Sequence, residues 1–217
     1  MRNIIMKNLL ASLIFFSSSI AFCQESVFRE KEVIKYFVKY ETERYVTYDT
    51  IMIFVTGNMW QAAANTSKEI VILYNLENIE MEYFLDIQTI GWVATDTTGA
   101  VENENTCWFH PPRHNQFMML ELAPFPRIEY PLLVGKTYSK ILFIGEGWGD
   151  LSNSKVYWKY EIKERNDDTW FISAEARPTI YPSEINRLDI IFEENNGFIK
   201  LDYSFNNGTQ ITMNKID

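Results

Sequence analysis

Two Asn-Asn-Gly triplets, Asn195-Asn196-Gly197 and Asn206-Asn207-Gly208, constrain this chain more than any other feature. Asn-Gly supplies the positive φ that tight hairpin turns require. The runs around them, Leu188–Glu193, Phe198–Phe205 and Thr209–Met213, therefore read as a three-strand meander. Upstream, the same two-residue period recurs. Ile34, Tyr36, Val38 and Tyr40 fall on one face, with Lys35, Lys39 and Glu41 on the other. A helix joining Val33, Phe37 and Tyr40 competes there, but β-branched and aromatic residues favour the strand. Further strands are expected over Tyr45–Thr56, stopped by Gly57-Asn58, and over Ile70–Tyr74, Thr137–Ile144, Val156–Ile162 and Trp170–Ala176. The fold expected is mainly β: an antiparallel curved sheet, half-barrel or sandwich, with at most one or two short helices.

Residues 78–90 satisfy both periods. Ile79, Met81, Tyr83, Leu85 and Ile87 alternate, while Ile79, Tyr83, Ile87 and Ile90 follow helical spacing toward Gly91. Good helix formers tip that segment toward a helix. Asp96-Thr97-Thr98-Gly99 has turn chemistry and predicts a hairpin between Trp92–Thr95 and Ala100–Asn103.

Five of the seven prolines lie between Pro111 and Pro131, within Trp108–Tyr138. Proline fixes φ and pushes its predecessor toward extended backbone. That stretch is expected to be an extended crossing that clasps an N-terminal layer to the C-terminal meander.

The first residues have the pattern of a secretory leader: Arg2 and Lys7, then an apolar Leu9–Phe16, then small residues. The apolar run is too short to span a bilayer. Cleavage after Cys23 leaves residues 24–217 as a single β-rich domain; cleavage after Ala21 is the alternative. Cys23 as a lipid anchor is disfavoured, because Phe22 stands where a lipobox needs a small residue. The mature chain, with no apolar stretch long enough for a transmembrane helix, is expected in the periplasm or outside the cell. Losing the leader removes two bases and no acid, taking the net charge from −9 to −11. Such a charge repels phosphate backbones, so nucleic acid is not an expected partner. Only Cys107 remains after cleavage at Cys23, so no disulfide framework is expected.

Both histidines, His110 and His114, sit in the proline-rich stretch. Their spacing would place two metal ligands on one helix face, but Pro111-Pro112 forbids a helix there. An extended chain separates them by about 13 Å. With no third histidine, a zinc site would have to draw on Glu102, Glu104 or Glu121, and no metal or cofactor is assigned. Arg113, stiffened by the prolines, could grip a carboxylate or phosphate, or simply pair with one of the chain's acids. Trp148, between glycines, could present a stacking surface. Gly145–Asp150 lacks the lysine and hydroxyl of a phosphate loop. Asp150 with Glu161 mimics a calcium loop but lacks its central glycine. Cys107 lies three residues from His110, a separation that sends the two side chains of a strand to opposite faces. Candidate binding residues are thus Trp108, His110, Arg113, His114 and Trp148; no catalytic residue is assigned.

The run Thr98–Asn103 followed by Trp108-Phe109-His110-Pro111-Pro112-Arg113, then Leu120–Pro126 and Pro131–Lys136, resembles exported β-rich proteins of Bacteroidetes-type bacteria. The closing Gly197-Phe198-Ile199-Lys200 shares the likeness, which covers about half of the mature chain. The resemblance implies a curved-sheet fold and export, and assigns no activity and no catalytic residue.

The function expected is an exported, non-enzymatic β domain. It would bind a hydrophobic ligand or an envelope protein partner in the concavity of its sheet. Two alternatives stand beside it. One is a hydrolase or metal-dependent enzyme using the His110/His114 region, which requires those side chains and Cys107 to converge. The other is a structural component of the envelope.

Overall fold

The computed structural model describes residues 26–60, 67–74, 93–146, 149–181 and 183–217. The leader with Cys23, the two-way segment 78–90 and Trp148 lie outside the described residues.

Twelve strands form one antiparallel sheet: β1 (Val33–Glu41), β2 (Val46–Met59), β3 (Ser67–Tyr74), β4 (Thr95–Glu102), β5 (Thr106–Phe109), β6 (Arg127–Glu129), β7 (Thr137–Phe143), β8 (Lys155–Asn166), β9 (Thr169–Pro178), β10 (Asn186–Glu193), β11 (Gly197–Ser204) and β12 (Gln210–Ile216). Their order across the sheet is 6-5-4-3-2-1-12-11-10-9-8-7. Every neighbour in space is therefore a neighbour in sequence, except that β12 lies beside β1. The two edges of the sheet are β6 and β7, themselves consecutive in the chain.

Those edges meet through side chains. The Tyr138 hydroxyl donates to the Arg127 carbonyl at 2.7 Å, and Lys140 reaches Glu129 at 2.6 Å. Lys136 donates to the carbonyls of Glu129, Tyr130 and Pro131 at 2.8, 3.0 and 2.9 Å. The sheet thus curls into a barrel-like wall, nearly closed, whose seam is a zip of tyrosine and lysine.

Alternation places the core. On β1, Ile34, Tyr36, Val38 and Tyr40 point inward and are buried. Phe37, the residue that breaks the polar face, is 41% exposed and stacks on Tyr48 of β2 at 5.7 Å. So the strand reading holds and the helical rival does not. Interior aromatics pack on one another: Phe198 meets Phe109 across the barrel at 5.3 Å and its neighbour-strand partner Phe192 at 5.2 Å, and Tyr138 stacks on its β8 partner Tyr160 at 4.8 Å. Two buried hydroxyls are satisfied by carbonyls, Tyr36 on Phe198 at 2.9 Å and Tyr160 on Phe125 at 3.0 Å, while that of Tyr203 has no partner among the described residues.

Three local expectations are corrected. The predicted turn at Asp96–Gly99 is instead the middle of β4, with Asp96, Thr98 and Ala100 facing inward. Gly99 is there for close approach: a Cβ would lie 2.7 Å from Trp60 Cδ1. Gly57-Asn58 does not stop β2, which runs on to Met59 through an irregularity in its pairing with β3. The proline-rich crossing is not extended throughout, because Asn115–Leu122 forms a 3-10 helix. Its prolines lie outside that helix, as their chemistry requires.

With all strands antiparallel, odd strands end and even strands begin at one rim; the reverse holds at the other. Both rims are stoppered by chain that is not strand. At the rim where β1 begins, Val27 and Phe28 are buried as a cap. At the opposite rim, the Asn115–Leu122 helix enters as a plug, with Phe117 and Leu120 fully buried.

Candidate functional site

The plug rim gathers the polar residues of the proline-rich stretch. β3 ends there in Tyr74, and β4 begins there with Asp96 facing inward. Between Phe109 and the plug, the prolines fold the chain across the mouth and lower Arg113 onto Asp96. Its Nε donates to Asp96 Oδ2 at 2.7 Å and its Nη2 to Oδ1 at 3.2 Å, a forked pair. Nη1 lies 3.6 Å from Glu121 of the plug. Burial alone would lower the guanidinium's pKa, but the Asp96 bonds outweigh it and raise it. The Tyr74 hydroxyl accepts the amides of Arg113 and His114 at 3.0 and 3.3 Å, tying the crossing to the wall.

The histidines attach to different acids. His110 Nε2 is 3.5 Å from Glu121, and His114 Nε2 is 3.5 Å from Asp96. His110 also packs its ring on Phe125 at 4.5 Å and sets Nδ1 3.1 Å from the Pro111 carbonyl. Burial depresses its pKa to about 4, against partial support from that carbonyl, so it is neutral at pH 7. Burial likewise raises the pKa of Glu121 despite the nearby Arg113.

Beneath the plug lies a second pair. Asp49, facing inward from β2, is buried and pushed up to about 6, first by desolvation, with Gln116 of the plug and the Thr50 amide acting against it. Its Oδ1 accepts the Thr50 amide at 2.7 Å, while Oδ2 and Gln116 Oε1 have no hydrogen-bond partner among the described residues. Around them the lining is aromatic. Phe117 packs between Tyr40 and Tyr74 at 6.3 and 6.1 Å, and the Tyr40 hydroxyl touches Met119 Sδ at 3.9 Å. Beside the plug, a cleft of about 310 Å³ opens among Met119, Leu122, Asn186 and Phe205.

Of the residues singled out from sequence, His110, Arg113 and His114 come together at this rim. Trp108 does not join them; it packs against Phe125 at 6.4 Å under the Arg127 guanidinium. The candidate metal ligands separate as well. Glu102, six residues along β4 from Asp96, stands about 20 Å nearer the other rim, and Glu104 bonds its neighbour Asn105. Among the described residues, no three His, Cys, Asp or Glu side chains are placed to share a metal ion. Cys107 faces Glu102 in the strand register, fully buried. Desolvation raises its pKa well above the ordinary thiol value. It sits at the cap rim, away from the histidines, so the nucleophile–base convergence an enzyme reading requires is not formed. Asp150 and Glu161 are likewise parted, Asp150 bonding Tyr181 and Glu161 pairing with Lys163.

Four residues of the site escaped the sequence reading: Tyr74, Asp96, Asp49 and Gln116. Asp96 was hidden by its turn-like neighbours. The alternation Asp96-Thr98-Ala100 is the signal that could have revealed it.

No protein-family model matches the chain, and no curated protein matches it. Among solved structures it is similar to the crystal structure of a LolA superfamily protein from Nitrosomonas europaea. The identity is 10% and the TM-score 0.31, over 90% of this chain and 86% of that one. At that score the likeness decides nothing, and function has to be read from this chain's own site.

Proposed function

We propose that the chain is an exported, non-enzymatic binding protein that admits an apolar or amphiphilic ligand at the plug rim, with Asn115–Leu122 as a displaceable lid. The observation that carries this reading is the plug itself. It inserts Phe117 and Leu120 into a strand-built aromatic mouth and covers Asp49 Oδ2, which has no hydrogen-bond partner among the described residues. A polar-headed apolar molecule matches the mouth the lid vacates: the rings of Tyr40 and Tyr74 for its body and Asp49 Oδ2 as acceptor for a donor on its head. The concavity expected from the sequence is therefore present but filled, at this rim, by the chain's own side chains.

The lid has the local character to move. Eight residues is long for a 3-10 helix, whose bonding geometry is poorer than that of an α-helix. His114 at its start makes no side-chain cap. Its charged fastening is side chain to side chain, Glu121 to Arg113, with the neutral His110 beside it. Export rests on the leader at residues 1–23, which places binding in the periplasm or outside the cell.

Titration of residues 24–217 with the neutral fluorophore N-phenyl-1-naphthylamine tests the reading. One saturable site per chain is expected, and Phe117→Ala, which empties space in the mouth, should bind the probe at least threefold more tightly. Absence of a saturable site in both forms would overturn the proposal.

A further inference from the structure

The seam between β6 and β7 covers only part of β7. Two bonds fix which way that strand's backbone faces. The Ile144 amide donates to Ser154 and the Ile162 amide to Lys136, each at 3.0 Å, at opposite ends of the β7–β8 ladder. The register between them, Thr137↔Glu161 through Phe143↔Lys155, has no shift. Tyr138, Lys140 and Leu142 therefore spend their amides and carbonyls on β8. Ser139, Ile141 and Phe143 turn theirs to the free edge. β6 is only three residues long and meets β7 by side chains, so no backbone bond takes up those groups among the described residues.

Sheet edges of soluble proteins are normally blunted by charge, proline or a bulge. This one is not. Ile141 and Phe143 are 60% and 61% exposed, and Tyr157, opposite Ile141 on β8, is 48% exposed. A groove of about 700 Å³ runs alongside, among Ile141, Tyr157, Lys159, Glu175 and Arg177.

The charge of this face is opposite to that of the chain. The chain carries −9, yet Lys155 and Lys159 point outward here with no ion-pair partner among the described residues, and Arg177 and Arg187 share the single Glu175. Ser139 is the small residue directly between Lys159 and the free edge, so that lysine's ammonium can reach over it.

We propose that the free edge of β7 docks an extended acidic–apolar segment of a partner protein, which adds to the sheet as a further strand. Its backbone would bond Ser139, Ile141 and Phe143, its apolar side chains would lie on Ile141, Phe143 and Tyr157, and its carboxylates would meet Lys155 and Lys159. A second copy of this chain is a poorer occupant. Its β7 presents only Thr137, Ser139, Ile141 and Phe143 outward and has no carboxylate to offer.

The test uses residues 24–217 and a fluorescein-labelled nonapeptide read by anisotropy, in which every second residue is valine or glutamate in turn and the residues between are threonine, so that both kinds share the face of Ile141 and Lys159. A lysine-for-glutamate counterpart is the control. Binding of the glutamate peptide is expected, weakening with added salt, with the lysine peptide at least tenfold weaker. Ile141→Pro deletes an edge amide outside the β8 ladder and should cut binding at least tenfold, leaving N-phenyl-1-naphthylamine binding unchanged. Should that variant lose its circular dichroism, Ile141→Lys with Phe143→Lys blocks the same edge with the ladder whole. Equal or absent binding of the two peptides, or binding indifferent to these variants, would overturn the proposal. So would a concentration-dependent dimer in sedimentation that Ile141→Pro abolishes, since the edge would then pair with itself.

Discussion

The two rims of the barrel are stoppered by the same means and to different degrees. Each takes two buried apolar residues from a non-strand segment, Val27 and Phe28 at one and Phe117 and Leu120 at the other. Each adds a carboxylate and a cation. At the cap, Glu102 is saturated: it accepts from the Ser26 hydroxyl, the amides of Val27 and Phe28 at 2.6 and 3.2 Å, and Lys68 at 3.0 Å. Burial pushes its pKa up, but these four donors outweigh it and hold the carboxyl below its ordinary value. Lys68 in turn donates to the Phe28 carbonyl at 2.6 Å, so backbone and side chain lock together. At the plug, Glu121 is met by Arg113 and His110 only at 3.6 and 3.5 Å, and Asp49 Oδ2 and Gln116 Oε1 have no hydrogen-bond partner among the described residues. A saturated carboxylate makes a lock, and an unsaturated one makes a latch. That difference is why the proposed opening is put at the plug rim.

The sharpest way to break the comparison is to open the lock. Glu102→Ala strands two amides and the Lys68 ammonium at the cap. It should cost about 4 kcal/mol of unfolding free energy, discounted for the partial exposure of Lys68. Urea denaturation measures it. A loss no larger than that of the matching change at the plug, Glu121→Ala, would erase the distinction between the rims.

Next in size is a pH effect confined to the plug rim. The folded pKa of His110 is about 4, below the ordinary 6.5. In that window the unfolded chain is protonated at His110 and the folded chain is not. Its contribution therefore rises with pH between 4 and 6.5. Asp49 does the reverse, because the folded carboxyl holds its proton up to about pH 6 while the unfolded one releases it near 3.8. Each is worth on the order of 3 kcal/mol, and the two cancel in the native chain. Relative to the native chain, Asp49→Asn should gain stability progressively as pH rises from 4 to 6.5, and His110→Gln should lose it. Parallel stability curves for all three proteins would show that these groups are not held as the structure has them.

A smaller effect ties the cap to a turn. Gly197 has φ +79°, and a Cβ there would lie 2.4 Å from Val27 Cγ1. Gly197→Ala combines left-handed strain with displacement of the cap and should cost about 2 kcal/mol by thermal or urea unfolding. Gly208, at the matching turn with φ +82°, has only the Glu43 side chain nearby, at 3.6 Å. Gly208→Ala should therefore cost less, about 1 kcal/mol.

That pair of glycines shows how far the sequence could be read. Both were visible as turn glycines, because Asn-Gly chemistry is local. That one of them also seats Val27, 170 residues away in the chain, is a tertiary fact no local pattern encodes. The strands were legible for the same local reason: one wall, one buried face, period two. β4 was misread because Gly99 and Asp96 imitate a turn, while their real partners, Trp60 and Arg113, come from other parts of the chain. The plug was hidden by its prolines, which constrain the residues at its ends and leave Gln116–Leu122 free to be helical. His110, Arg113 and His114 could be nominated because they are chemically rare here. Asp49 could not, being one acid among 29 Asp and Glu, set apart only by a fold that buries it.

The smallest effect expected on stability is also the one that separates a latch from a structural pair. Arg113 is about a third exposed and its fork with Asp96 lies at the rim, so Arg113→Ala should cost only about 1 kcal/mol in urea. Its kinetic effect should be larger. With the fork gone, Glu121 loses its cation, and the plug keeps His110, its apolar contacts and the hydrogen bonds of Asn115 with the Val93 backbone and of Asn186 with the Leu122 carbonyl. Association of N-phenyl-1-naphthylamine in stopped flow should then accelerate several-fold, while Lys68→Ala at the cap leaves that rate unchanged. Arg113→Lys restores the charge without the fork and should fall between the two. If Arg113→Ala slows association, or if the cap variant speeds it equally, the probe does not enter beneath the plug and the two rims are functionally alike.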